Sequence, residues 1–133
     1  MNEEKIQILV VDDNVDISGL IAIQLGEEGY GTTVRNDGDS AVDVLENMKI
    51  DLLLLDVMMP GKSGFDVLEE IKKLKKTENR DIPVVMITAK SGLDDIDRAL
   101  ELGATSYITK PFRAELLISK INELLIETGR IRE

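Results

Sequence analysis

Leu52-Leu53-Leu54-Leu55-Asp56-Val57-Met58-Met59-Pro60-Gly61 sets four leucines against an aspartate and then a Pro-Gly turn signal. An apolar run of this length without polar alternation reads as a strand covered on both faces, the situation of an interior strand in a parallel sheet. Ile6 to Val11 and Val84 to Ile87 have the same character, and Pro83 opens the latter strand, where a missing N–H is tolerated. Thr32 to Arg35 and Ser106 to Thr109 are shorter and half polar, which assigns them to sheet edges. Between these runs lie stripes of helical period: Ile17, Leu20, Ile21 and Leu25; Ala41, Val44, Leu45 and Met48; Val67, Leu68, Ile71 and Leu74; Ile96, Ala99 and Leu100; and Leu117, Ile118, Ile121, Leu124 and Leu125. Strands alternating with helices specify an α/β fold with a parallel sheet. Strong runs one, three and four at the centre and weak runs two and five outside fit the flavodoxin-like order 2-1-3-4-5, a (βα)5 three-layer sandwich. Gly29, Gly38, Gly61 and Gly103 fall at helix ends or turns, and Asp13, Ser40, Ser63 and Ser91 are candidate caps or turn formers.

The chain holds 133 residues, the size of one ordinary domain. It is read as a single unit, 1–133, with a core at about 5–127 and a short charged tail from Thr128 to Glu133. Lys and Arg number 16 and Asp and Glu 26, a net charge of -10 that argues against direct nucleic-acid or acidic-membrane partners. Cysteine and histidine are both absent, which removes disulfides, thiol catalysis, the usual zinc ligands and the usual general base. Met1 to Lys5 lacks the basic and apolar regions of a signal peptide, and apolar runs such as Leu52 to Leu55 fall far short of the roughly 18 residues of a membrane span. A cytoplasmic protein is expected.

In an open parallel sheet, ligands bind beyond the carboxyl ends of the strands where strand order reverses, here between the first and third strands. The first run ends in Asp12 and Asp13, the third in Asp56, the fourth in Thr88 and the fifth in Lys110. Alone, Asp13 reads as a helix cap, Asp56 as a turn starter, Thr88 as the beginning of a loop and Lys110 as a solvated lysine. Together they occupy one edge of the sheet. Three close carboxylates need a cation or shared protons, and hard oxygen ligands favour Mg²⁺. With Lys110 opposite and Thr88 beside it, one aspartate becomes a nucleophile for a phosphoryl group whose oxygens metal and lysine neutralise. No GxxxxGK[ST] is present and no GxGxxG follows the first strand, so nucleotide binding has little support.

These residues give the chain its resemblance. Ile8-Leu9-Val10-Val11-Asp12-Asp13-Asn14, then Leu53 to Gly61 with Gly64, then Val85 to Ala89, Gly103-Ala104 and Tyr107-Ile108-Thr109-Lys110-Pro111-Phe112 stand in the order and spacing of the receiver domain of two-component response regulators. The chain resembles this CheY-like family over essentially Lys5 to Glu127. The resemblance implies that Asp56 is the phosphoacceptor, charged by a partner kinase's histidine. It implies that Asp13 and Asp56 bind Mg²⁺ directly, that Asp12 acts largely through water, and that the Met58 main-chain carbonyl completes the protein ligands. Lys110 would pair with the phosphoryl oxygens, and its bond to Pro111 is expected to be cis. Thr88 and Tyr107 would form the switch, Tyr107 turning inward as Thr88 moves toward the phosphoryl group, while Phe65 and Phe112 pack.

Phosphorylation places a group of charge near -2 at Asp56. It would bias a two-state surface made by the fourth helix, fifth strand and fifth helix. Asp94, Asp95, Asp97 and Arg98 on that helix read as favourable charge at a helix N-terminus plus a solvated face. Lys72, Lys73, Lys75 and Lys76 read as complements to the third helix's dipole. Met58 and Lys90, two residues past Asp56 and Thr88, bear on the lifetime of the phosphoaspartate. The partners implied are a sensor histidine kinase or phosphotransfer protein, and a downstream target or an output domain, with a phosphorylation-dependent homodimer through the fourth helix, fifth strand and fifth helix as a further expectation. Since the chain has no histidine, the donor belongs to another protein. The competing enzyme reading, a Mg²⁺-dependent aspartyl-phosphate phosphatase or phosphotransferase, wants two aspartates separated by one residue, whereas Asp12 and Asp13 are adjacent. A flavodoxin-like cofactor carrier wants a phosphate-cradling loop and stacking aromatics, and neither is present.

Overall fold

The leucine run lies at the centre of the molecule. The computed structural model describes residues 5–89 and 93–132. In it Leu52–Asp56 forms strand β3, paired with β1 (Gln7–Val11) on one side and β4 (Val84–Thr88) on the other. β2 (Gly31–Arg35) and β5 (Ser106–Thr109) are the edges, giving the order β2-β1-β3-β4-β5 with every pair parallel. This is the expected flavodoxin-like order. Crossovers run through α1 (Val15–Glu27), α2 (Gly38–Asn47), α3 (Gly64–Ile71) and α4 (Leu93–Glu101), and α5 (Ala114–Glu127) follows β5.

Strand periodicity divides the core in two. Leu9, Val11, Leu53, Leu55, Val84 and Met86 face the layer of α2, α3 and α4, while Ile8, Val10, Leu52, Leu54, Val85 and Ile87 face α1 and α5. Successive side chains of a strand point to opposite faces, so an uninterrupted apolar run is what two covered faces require. β2 pairs with β1 along its whole length although all five of its residues are only half-buried, because the ladder is made by backbone groups.

The helical stripes are narrower than their sequence pattern. Leu20, Met48 and Leu100 are exposed, at 56%, 36% and 45%. A helix on a flat sheet buries a strip, and residues on its flank face outward. Met48 lies beyond the last turn of α2 in extended backbone. Leu74 is buried as expected, but α3 ends at Ile71, so Leu74 is seated by a turn and Lys73, Lys75 and Lys76 fall outside the helix.

Caps also differ in detail. Asn14, not Asp13, caps α1 by accepting from Ile17 N, and Asp37, not Ser40, caps α2 by accepting from Ser40 N. Ser63 caps α3 in a reciprocal box with Asp66. Ser91 lies outside the described residues. Gly29, Gly61 and Gly103 adopt φ of 92°, 72° and 107°, conformations that favour glycine at helix ends and turns. The tail is more than charge: Thr128 Oγ1 donates to Leu124 O at 2.8 Å and Ile131 packs against the core.

Candidate functional site

Register assembles the site. Val11 pairs with Leu55, so the next residues, Asp12 and Asp56, emerge side by side. Asp56 pairs with Ile87, and Thr88 with Thr109, which brings Thr88 and Lys110 to the same edge. Carboxylate oxygens of Asp12, Asp13 and Asp56 lie within 4.8 Å of one another. Asp12, Asp56 and Thr88 are buried, and Asp13 faces solvent.

Lys110 Nζ stands 2.7 Å from Asp12 Oδ2 and 3.5 Å from Asp56 Oδ2. Asp12 Oδ1 accepts from Asn14 N at 2.9 Å. Asp12 Oδ2 is buried without an aligned hydrogen-bond donor among the described residues, its contact with Lys110 being an ion pair by distance. Asp56 Oδ1 accepts from Met58 N at 3.3 Å. Burial, and next the negative charge of Asp12, push the Asp56 carboxyl up to about 7, against the opposing pull of Lys110. Burial works against the charge on Lys110, but its contacts with Asp12 and Asp56 prevail and raise it above the ordinary lysine value.

Backbone and polar neighbours hold this arrangement. Gly64 N donates to Val57 O at 3.0 Å, and a Cβ at Gly64 would lie 2.3 Å from the Asp56 carbonyl oxygen, so the chain closes behind Asp56 only with glycine there. Lys110 N donates to Thr88 O at 2.8 Å, and the Lys110–Pro111 bond is cis, as the resemblance implies. Asn36 Nδ2 donates to Asp12 O at 2.7 Å and to Ser18 Oγ at 3.1 Å. Sequence reasoning missed Asn36, whose setting in Asn36-Asp37-Gly38 signals only a turn.

Tyr107 is 39% exposed, and the Met58 side chain points outward at 55%. Phe65 and Phe112 pack against the two cores as expected. Lys90 lies outside the described residues. The donor set suits a hard divalent cation: three carboxylates converge, and the buried Asp12 Oδ2 lacks an aligned donor.

Fold and site together define a doubly wound α/β protein with an acidic cleft at the point where its strand order reverses. The family model of the response regulator receiver domain matches residues 8–122. The transcriptional regulatory protein CpxR of Escherichia coli K12 is 41% identical over 119 residues, 90% of this chain and 49% of CpxR. A CheY-like receiver domain protein from Methanospirillum hungatei superposes with a TM-score of 0.88 at 29% identity, covering 96% of this chain and 98% of that one. The receiver domain of the sensor histidine kinase PA1611 from Pseudomonas aeruginosa, with a magnesium ion coordinated in its active site cleft, gives a TM-score of 0.82 at 28% identity over 92% and 98% of the two chains.

The chain belongs to the response regulator receiver domains, the phosphorylation-dependent signalling switches of two-component systems. It spans about half the length of the curated relatives it matches. Among the described residues no helix is long and apolar enough to cross a membrane.

Proposed function

We propose that residues 5–127 form one receiver unit that takes a phosphoryl group on Asp56 from a phosphohistidine of a sensor kinase or phosphotransfer protein. The observation that carries this is the placement of Asp56: buried, at the end of the central strand, between Asp12 and Lys110. An Asp56 carboxylate oxygen attacks phosphorus, the P–N bond to the donor breaks, and its electron pair returns to the departing imidazole. Lys110 moves its charge from Asp12 toward the incoming phosphoryl oxygens, and Thr88 supplies a hydroxyl from the neighbouring strand. Asp12, Asp13, Asp56 and the Met58 carbonyl hold Mg²⁺, which when bound neutralises phosphoryl charge. Tyr107 turns inward as Thr88 engages, and the surface of α4, β5 and α5 changes. That surface then meets a protein target, an output domain or a second copy of the chain in the cytoplasm. The unit acts on no external substrate.

The test is modification by Mg²⁺ and a small phosphodonor, located by mass spectrometry. An acid-stable, base-labile phosphoryl group on Asp56, absent in Asp56→Asn and slowed in Asp13→Ala, is expected. Equal labelling of wild type and Asp56→Asn overturns the assignment.

A further inference from the structure

Arg98 has no part in the chemistry above, yet its surroundings tie it to the switch. Its guanidinium lies over the Phe65 ring, 4.3 Å from the centroid. Phe65 is buried in the first turn of α3, directly after Gly64, where a Cβ would lie 2.3 Å from the Asp56 carbonyl oxygen. Asp66, the next residue, is held below the ordinary carboxylate range by its bonds with Ser63, with Arg98 adding favourable charge. Arg98 thus links α4 to the turn of chain that closes behind Asp56.

The space beside Tyr107 shows what that link opposes. Between Val57, Met86, Thr88, Asp95, Ile96 and Ala99 lies a cavity of only 10 Å³. Such a volume holds about one water and cannot take a phenol ring. An inward turn of Tyr107, which itself lines this cavity, must displace other lining groups, and α4 supplies three of them, Asp95, Ile96 and Ala99. Arg98 lies on that same stretch of α4, and its stack on Phe65 holds the helix to α3.

We propose that Arg98 is a positioning residue of the switch: its stack on Phe65 holds α4 in the arrangement with Tyr107 outside and opposes the inward turn. The inference rests on the switch reading above. Removing a contact made only in the resting arrangement raises the population of the other, and any ligand of that other state then binds more tightly by the same factor.

The experiment compares the full chain with Arg98→Ala and Arg98→Lys, using Mg²⁺ and beryllofluoride as the phosphoryl mimic and the Tyr107 resonances as readout. Arg98→Ala is expected to bind beryllofluoride about two- to fivefold more tightly, the factor set by an exposed cation–π contact. Its Tyr107 signals before beryllofluoride addition are expected to shift toward the bound positions, with Mg²⁺ affinity unchanged. Arg98→Lys keeps the charge but loses the planar stack, and is expected to shift in the same direction by less. If wild-type Tyr107 does not respond to beryllofluoride, the switch reading itself fails. If wild type responds and Arg98→Ala matches it, or if Arg98→Lys behaves as wild type, the role of the stack is overturned. A changed Mg²⁺ affinity in Arg98→Ala overturns it as well, by showing a disturbance of the acidic cleft.

Discussion

Lys110 and Asp12 form the closest ion pair of the acidic cleft, Nζ to Oδ2 at 2.7 Å, while the same ammonium stays 3.5 Å from Asp56. The lysine is therefore committed first to the neighbour of the phosphoacceptor. Its position occupies the charge demand that a divalent cation also meets, and it leaves Asp56 the less compensated carboxylate.

Lys110→Ala removes that competitor and leaves two buried carboxylates facing one another. Mg²⁺ binding, measured by calorimetric titration at pH 7.5, is expected to tighten at least threefold. The metal-free melting temperature should fall by several degrees, because breaking a buried ion pair on one side costs about 3 kcal/mol or more where burial is complete and less at a cleft. Labelling of Asp56 by a small phosphodonor should slow despite the tighter metal. Weaker Mg²⁺ binding in the variant would contradict the competition.

The acidity of Asp56 makes stability pH-dependent in the metal-free protein. Its folded value of about 7 lies above the unfolded value of 3.8. Between these limits the unfolded chain ionises Asp56 while the folded protein keeps its proton, so stability is lost as pH rises and the loss is complete above the folded value. Asp56→Asn removes this penalty. Its melting temperature should match wild type near pH 4 and exceed it by several degrees at pH 8, since about 1 kcal/mol moves a domain of this size by roughly 2 to 6 °C. A difference independent of pH would refute the perturbed carboxyl.

Gly64→Ala sets a Cβ 2.3 Å from the Asp56 carbonyl oxygen and 3.0 Å from Val57 Cα, both backbone atoms that cannot rotate away. A loss of about 1 to 3 kcal/mol in urea unfolding is expected, the range for overpacking at a closed site. Mg²⁺ affinity should fall with it, because the displaced atoms belong to Asp56 itself.

Asn79 offers the converse case, stability without function. Fully buried, it accepts from Ile50 N at 3.0 Å and donates to Leu45 O at 2.7 Å and Met48 O at 2.6 Å. It thereby staples the segment between α2 and β3 to the chain ahead of β4. Asn79→Ala strands those three backbone groups, and a loss of about 2 to 4 kcal/mol in urea unfolding is expected. Mg²⁺ affinity, measured well below the midpoint, should stay at the wild-type value.

Much of this molecule can be read along the chain. The apolar runs ending in Asp12, Asp56 and Thr88 mark interior strands and place chemistry at their carboxyl ends, because the period of a strand and the direction of a parallel sheet are local properties. The edge position of β2 and β5 follows from the same reasoning. Helix boundaries and flanks are less legible: Leu20 and Leu100 belong to apolar stripes yet face outward, since burial depends on the curvature and width of what lies opposite.

Sequence by itself determined the fold, the strand order and the residues brought to the cleft, because each rests on periodicity and on which residue ends a run. Only the tertiary structure decided that Asn36 braces Asp12, that Asn79 joins segments 34 residues apart, and that Arg98 on α4 covers Phe65 on α3. It also decided the weakened acidity of Asp56, whose carboxyl is pushed up to about 7 by burial and by the charge of Asp12. These depend on distances between residues far apart in the chain. Such distances do not exist until the sheet has closed and the helices have docked.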